Sequence, residues 1–119
     1  MAGYLTTHVL DTARGCPAAG LRILLVRLDG GPGGGRRFLA EAVTNADGRT
    51  EAPILPEDRF AAGLYELTFR AGDYLRASGQ AGPEPLFLDE VPIRFGMREG
   101  HYHVPLLLSP YGYATYRGS

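Results

Sequence analysis

The chain has a single cysteine, Cys16, among 119 residues, so no disulfide can form within it and a four-cysteine zinc site is excluded. Charge of one sign is also missing: 12 Lys and Arg stand against 13 Asp and Glu, for a formal charge of -1. Such a balance creates no field that would draw the protein onto nucleic acid or an anionic membrane surface. No apolar run approaches the roughly 18 to 20 residues of a membrane span, and the segment from Met1 to Gly15 has no basic patch followed by an apolar signal core. No C-terminal Ser-Lys-Leu address is present. These absences predict a cytoplasmic protein with no nucleic-acid and no membrane partner. Two catalytic signatures are missing as well. The Gly30 to Gly35 stretch, GGPGGG, is not followed by Gly-Lys-Ser/Thr and reads as a flexible link, not a phosphate cradle, and no Gly-x-Ser-x-Gly nucleophile motif occurs.

What the sequence does have is punctuation. Its 17 glycines and 9 prolines cluster so as to cut the chain into apolar pieces of strand length. The pieces are Tyr4 to Leu10, Leu21 to Leu28, Phe38 to Thr44, a stub at Arg49 to Glu51, Leu64 to Arg70, Leu86 to Phe95, His101 to Leu108 and Tyr111 to Arg117. Eight strands suit an all-β, two-sheet sandwich, and the length suits one domain over residues 1–119. A domain of this size hides roughly two-thirds of its unfolded surface, enough for a packed core. One short helix is expected between Leu64 to Arg70 and Leu86, with Asp73 as its cap and Gly79 as its stop.

Alternation within the last two strands sorts their side chains. In His101 to Leu108, Tyr102, Val104, Leu106 and Leu108 share the core face, and His101, His103, Pro105 and Leu107 share the other. Pro105 supplies no ladder donor, so pairing must be broken or one-sided there. Only Ser109-Pro110 separates this strand from Tyr111 to Arg117. The two therefore form a tight antiparallel hairpin that brings Tyr116 and the chain end back to the His101 to His103 end.

Histidine titrates nearest neutrality of all side chains, and all three histidines fall in predicted strands. An HxH pair could hold zinc only with a third ligand from His8, a carboxylate or Cys16; no metal is assigned. Arg49 follows Asp47-Gly48, a tight turn that projects the next side chain from its end. Cys16, in Arg-Gly-Cys-Pro, lacks the basic surroundings of a reactive thiolate and reads as non-catalytic. Spacing alone thus stops at a small β-sandwich with a histidine-lined site.

Three stretches carry a resemblance. Leu5-Thr6-Thr7-His8-Val9-Leu10-Asp11 with Arg14 to Ala18, Thr44 to Arg49, and His101 to Ser119 are similar to the transthyretin-related family of 5-hydroxyisourate hydrolases. The likeness spans nearly the whole chain, with Gly30 to Arg37 and Gln80 to Glu84 less family-like. Its most specific part is the terminal Tyr116-Arg117-Gly118-Ser119, which separates the hydrolases from the hormone-carrying transthyretins.

The resemblance implies a transthyretin-like sandwich of two four-stranded sheets with one short helix, assembled as a homotetramer, a dimer of dimers. It implies that the face of His103, Pro105 and Leu107, with Ala114 and Tyr116, lines a channel between the dimers. There His8, Arg49, His103 and the Tyr116 to Ser119 segment meet, with more than one subunit lining each site. The implied reaction opens the cyclic amide of 5-hydroxyisourate, giving 2-oxo-4-hydroxy-4-carboxy-5-ureidoimidazoline in urate catabolism, without cofactor or metal. Neutral His103 would take a proton from the attacking water, with His8 positioning that water or relaying the proton. Arg49 would stabilise the developing oxyanion, Tyr116 would contact the substrate, and the Ser119 hydroxyl or terminal carboxylate would hydrogen-bond in the site. The sequence does not choose which histidine is the base. His101 is assigned to the structural side, since the family places the second histidine of HxH in the site. Two other readings are a non-enzymatic carrier using the same channel and an interaction module with incidental histidines. Neither needs His8, Arg49, His103 and the Tyr-Arg-Gly-Ser end together.

Overall fold

The protein is described by a computed structural model over residues 3–29 and 35–118, so most of the glycine link and Ser119 lie outside the described residues. The chain forms β1 (Gly3–Asp11), β2 (Cys16–Pro17), β3 (Arg22–Arg27), β4 (Arg37–Val43), β5 (Gly63–Arg70), α1 (Ala71–Ala77), β6 (Glu90–Met97), β7 (Gly100–Ser109) and β8 (Gly112–Thr115). A single 3-10 turn at Glu57–Arg59 adds to the one expected helix. The strands make two four-stranded sheets, ordered β2-β1-β7-β8 and β4-β3-β5-β6.

Period-two alternation builds the core between the sheets. From the first sheet come Leu5 and Val9 of β1 and Tyr102, Val104, Leu106 and Leu108 of β7; from the second come Ile23, Leu25, Tyr65, Leu67 and Phe69. Each fully buried Leu, Ile or Phe side chain contributes about 1.5 to 3 kcal/mol through surface removed from water. Tyr102, Val104, Leu106 and Leu108 of β7 are buried as expected, and Pro105 of the other face is buried with them.

Three differences from the sequence reading have physical reasons. The stub Arg49 to Glu51 is not a strand: Arg49 makes only an isolated bridge to His8. The fourth strand of the first sheet is instead Cys16–Pro17, antiparallel to Leu10 and Asp11. Two residues ending in proline carry no periodic signal, and they pair because the Thr12 to Gly15 turn, closed by Gly15 N–H on the Asp11 carbonyl (2.8 Å), returns the chain beside β1. Strand β6 begins at Glu90, not Leu86, because Pro83 and Pro85 keep the preceding segment irregular. In α1, Asp73 lies in the first turn and pairs with Arg76 (3.0 Å), while the capping position is Arg70, with no side-chain cap bond. Gly79, at φ 76, does follow the helix end.

The helix is tied to the first sheet through Asp11, which is 2% exposed. Its carboxylate accepts hydrogen bonds from the Tyr74 hydroxyl (2.6 Å), the Gln80 amide (2.8 Å) and the Arg14 backbone N–H (2.9 Å). Burial alone raises the Asp11 pKa, but these bonds and the Arg14 charge outweigh it and hold the carboxyl below its ordinary 3.8. The same bond and burial push the Tyr74 phenol up to about 12. No helix among the described residues is long and apolar enough to cross a membrane.

A group held below its ordinary pKa stabilises the fold above that value, and the contribution is lost as pH falls through the folded pKa. Stability is therefore expected to drop with acid below pH 3.8 in part through Asp11. In urea unfolding at neutral pH, Asp11→Ala should lose about 3 kcal/mol, because it strands buried donors, and Tyr74→Phe about 1.5 kcal/mol. An Asp11→Ala loss no larger than that of an exposed substitution would remove the carboxylate from this role.

Candidate active site

The site is set out by one register. β1 and β7 run parallel, pairing Tyr4 with His101, Thr6 with His103 and His8 with Pro105. Because alternate residues share a face, the outward side chains of the two strands form adjoining rows: Tyr4, Thr6 and His8 beside His101, His103 and Pro105. The Tyr4 ring stacks on His101 with centroids 4.2 Å apart and planes 11° from parallel. Thr6 Oγ1 is 2.8 Å from His101 Nε2 and 2.8 Å from His103 Nδ1. His8 stands beyond, its ring centroid 6.4 Å from that of His103.

The expected turn brings in Arg49. Asn45 organises it: its side-chain oxygen accepts the N–H groups of Asp47 (2.9 Å) and Arg49 (3.2 Å), and its backbone pairs with Gly48 and Arg49. Gly48 is required twice over, by its φ of 76 and because a Cβ would run into the Val9 carbonyl. The Val9 N–H bonds the Gly48 carbonyl (2.8 Å), stitching the turn to β1. His8 Nε2 donates to the Asp47 carbonyl (2.8 Å), which can only accept, so Nδ1 is the His8 nitrogen left to accept a proton.

The chain end arrives as the hairpin predicts. β8 pairs with β7 from Ser109 to Leu106, and pairing resumes at His103, whose carbonyl accepts the Gly118 N–H (2.7 Å). Antiparallel hydrogen-bonded pairs recur every second residue, so the pair missing between them is Pro105 with Tyr116. Proline has no N–H to give there; its carbonyl takes the Thr115 hydroxyl instead (2.7 Å). The ladder with β1 continues unbroken through Pro105, so the interruption is one-sided. At Gly118 a Cβ would lie 2.7 Å from His103 Cδ2, which leaves room only for glycine. The Arg117 guanidinium lies 3.8 Å above the Tyr102 ring.

Tyr4, Thr6, Arg49, His101, His103, Tyr116 and Gly118 line one cavity of about 550 Å³. Of the residues singled out from sequence, Arg49, His103 and Tyr116 are brought together there, and His8 stands beside His103. Ser119 lies outside the described residues. His101, set aside as structural, shares the cavity and is linked through Thr6 to His103. Tyr4 and Thr6 were not singled out, although alternation in β1 already places them on the His8 face. Among the described residues no group of three His, Cys, Asp or Glu side chains is placed to hold a metal ion.

His103 is held below its ordinary 6.5, first by burial and then by the charges of Arg49, His8 and His101. At neutral pH it is an uncharged imidazole beside a guanidinium: a proton acceptor next to a group that stabilises negative charge. That pair suits attack of water on a polarised carbonyl.

The sequence matches the HIUase/Transthyretin family over residues 5–118. A 5-hydroxyisourate hydrolase of Mesorhizobium japonicum is 65% identical over 98% of this chain and 93% of its own length. Among solved structures, (S)-allantoin synthase superposes with a TM-score of 0.91 at 48% identity, over 99% of this chain, which spans 44% of that longer one. Sea bream transthyretin in complex with thyroxine superposes with a TM-score of 0.85 at 29% identity, over 96% of this chain and 93% of that one.

The lowered His103 pKa has a testable sign. An imidazole with a depressed folded pKa favours the fold above its unfolded value, and that contribution is lost as pH falls through the folded pKa. Proton NMR titration should place the His103 midpoint below 6.5 and should move it upward in Arg49→Ala. An unmoved midpoint would show that the guanidinium does not act on this ring.

Proposed function

We infer that this chain, which belongs to the HIUase/Transthyretin family, hydrolyses the cyclic amide of 5-hydroxyisourate in urate catabolism, as one domain over residues 1–119. The observation that carries the reading is the shared cavity of Arg49 and His103 with His8 alongside, in a chain 65% identical to a 5-hydroxyisourate hydrolase. Water attacks the ring carbonyl while neutral His103 takes its proton at Nε2, the nitrogen that Thr6 does not occupy. His8, fixed by the Asp47 carbonyl, positions that water with Nδ1. Arg49 holds the oxygen on which charge develops, and its fixed charge adds to burial in keeping His103 neutral beforehand. The amide C–N bond then breaks and the leaving nitrogen takes a proton, giving 2-oxo-4-hydroxy-4-carboxy-5-ureidoimidazoline. Tyr116, 59% exposed, contacts the substrate, and Ser119 keeps the hydrogen-bonding role that the resemblance gives it. A carrier of an apolar ligand would have no use for a guanidinium and three imidazoles along its channel.

The working form is a homotetramer, a dimer of dimers, with the Tyr4, Thr6 and His8 face lining the channel between dimers. The exposure of Tyr116 on that face supports this. Sedimentation should give about four times the 12.8 kDa of one chain, and activity per chain should fall when dilution dissociates it. Full activity in a verified monomer would end the requirement for assembly.

The direct assay generates 5-hydroxyisourate from urate with urate oxidase and follows its ultraviolet decay with and without the protein. A large acceleration is expected, and His103→Asn should lower the turnover rate by about 100-fold or more with the assembly intact. No acceleration over the uncatalysed decay would refute the hydrolase reading, and full activity of His103→Asn would take that residue out of the mechanism.

A further inference from the structure

We propose that Thr6 is a positioning residue that locks His101 and His103 into one shared tautomer and passes a proton between them during turnover; this rests on the hydrolase reading above. The Thr6 hydroxyl lies 2.8 Å from His101 Nε2 and 2.8 Å from His103 Nδ1. It has one proton and two lone pairs, and among the described residues it has no third partner. If both rings donated to it, its own proton would find no acceptor among the three groups; if both accepted, one ring would find no donor there. The arrangements that satisfy both contacts within the cluster have one ring donating to Thr6 while Thr6 donates to the other. Either His103 carries its proton on Nδ1 and His101 Nε2 is bare, or His103 Nδ1 is bare and His101 carries its proton on Nε2. In neutral rings the first arrangement is Nδ1–H on both and the second is Nε2–H on both. The hydroxyl makes the two tautomers rise and fall together.

Only the first arrangement leaves His103 Nε2 able to take a proton from water, so Thr6 with His101 sets the base. The exchange then balances. As the water oxygen bonds to the carbonyl carbon, a water proton goes to His103 Nε2. The Nδ1 proton of His103 passes to Thr6 Oγ1, and the Thr6 proton passes to His101 Nε2. His103 ends neutral with its proton on Nε2, His101 ends as the imidazolium, and the negative charge is on the substrate oxygen. The Nε2 proton of His103 is then available to the leaving ring nitrogen as the C–N bond breaks and the oxyanion collapses to the carbonyl. His101 returns its proton through Thr6 to His103 Nδ1, restoring the first arrangement. The positive charge need not stay on the ring that Arg49 and His8 already disfavour as a cation. Tyr4, stacked on His101 at 4.2 Å, holds the ring in which the charge is parked.

Two readouts test this, and the first does not depend on activity. Long-range proton–nitrogen NMR of histidine-labelled protein at about pH 8, above the ordinary imidazole range, should show Nδ1–H on both His101 and His103. Thr6→Val, of the same shape without the hydroxyl, should return at least one ring to Nε2–H, and Thr6→Ser should keep the wild-type pattern. Kinetically, Thr6→Val should lower kcat by about tenfold or more, on the lower side of general acid–base effects, with KM within about twofold, and Thr6→Ser should recover most of the loss. Opposite tautomers on the two rings, Nε2–H on both, or rings unchanged in Thr6→Val would overturn the proposal. So would a wild-type kcat in Thr6→Val, or equal losses in the valine and serine variants. If the wild-type protein did not hydrolyse 5-hydroxyisourate, the kinetic arm would fall with the function while the tautomer arm still decided whether Thr6 couples the rings.

Discussion

The nine-residue parallel pairing of β1 with β7 is the constraint on which the rest of the molecule depends. It joins the first strand of the chain to the last long one, about a hundred positions apart in sequence, and no tight turn can make a parallel pair. Everything between must go out and return, which is why the whole second sheet and α1 lie inside that excursion. One face of the pair supplies Leu5, Val9, Tyr102, Val104, Leu106 and Leu108 to the core, and the other supplies Tyr4, Thr6, His8, His101 and His103 to the site. A slip of one residue would exchange the two faces of a strand. The core thus fixes the register, and the register fixes which polar groups touch.

Around that pair, backbone chemistry does the positioning. Gly48 lets the Asn45 to Arg49 turn approach β1 closely enough for its carbonyl to bond Val9. Gly118 lets the chain end close over His103. Pro105 withholds the donor that would have paired it with Tyr116, so β8 stops at Thr115 and contact resumes at Gly118. In each case the residue matters for an atom it lacks, a Cβ or an amide hydrogen. Arg49, His103 and Tyr116 are held beside these gaps.

This division also accounts for what was legible beforehand. Strands β1, β3, β5 and β7 show because each has buried positions and a turn beside it, while β4 and β8, which have no buried residue, show through their apolar content and the turns that flank them. The one-sided break at Pro105, the return of Tyr116 and the projection of Arg49 follow from rules local to a few residues. β2 is hidden because two residues have no period, and the Arg49 to Glu51 stub, set off by turn residues like the true strands, makes only one isolated bridge, Arg49 to His8. The parallel partnership of β1 with β7 cannot be read from either strand alone, and the role of Thr6 goes with it. A threonine in a strand is explained by β-propensity until its cross-strand neighbours are known to be two imidazoles. His101 was separated from His103 by a two-residue step along one strand; the link runs across to the neighbouring strand instead.

Electrostatics then decides what the shared architecture is used for. Sea bream transthyretin superposes with a TM-score of 0.85 and is seen with thyroxine, so the sandwich by itself does not choose between holding a ligand and cleaving one. The choice lies in the outward row. The chain as a whole is nearly neutral, at -1, yet the described lining of this cavity includes Arg49, His101 and His103 and no carboxylate. A carboxylate side chain among these residues would pair with Arg49 and favour the imidazolium form of His103, against the roles proposed for both. Burial, the guanidinium and the neighbouring imidazoles all push His103 toward its neutral form. In the proposed mechanism the charge that disfavours a protonated His103 before the reaction also stabilises the negative oxygen during it. In the proposed reaction one fixed cation therefore serves the base and the transition state together.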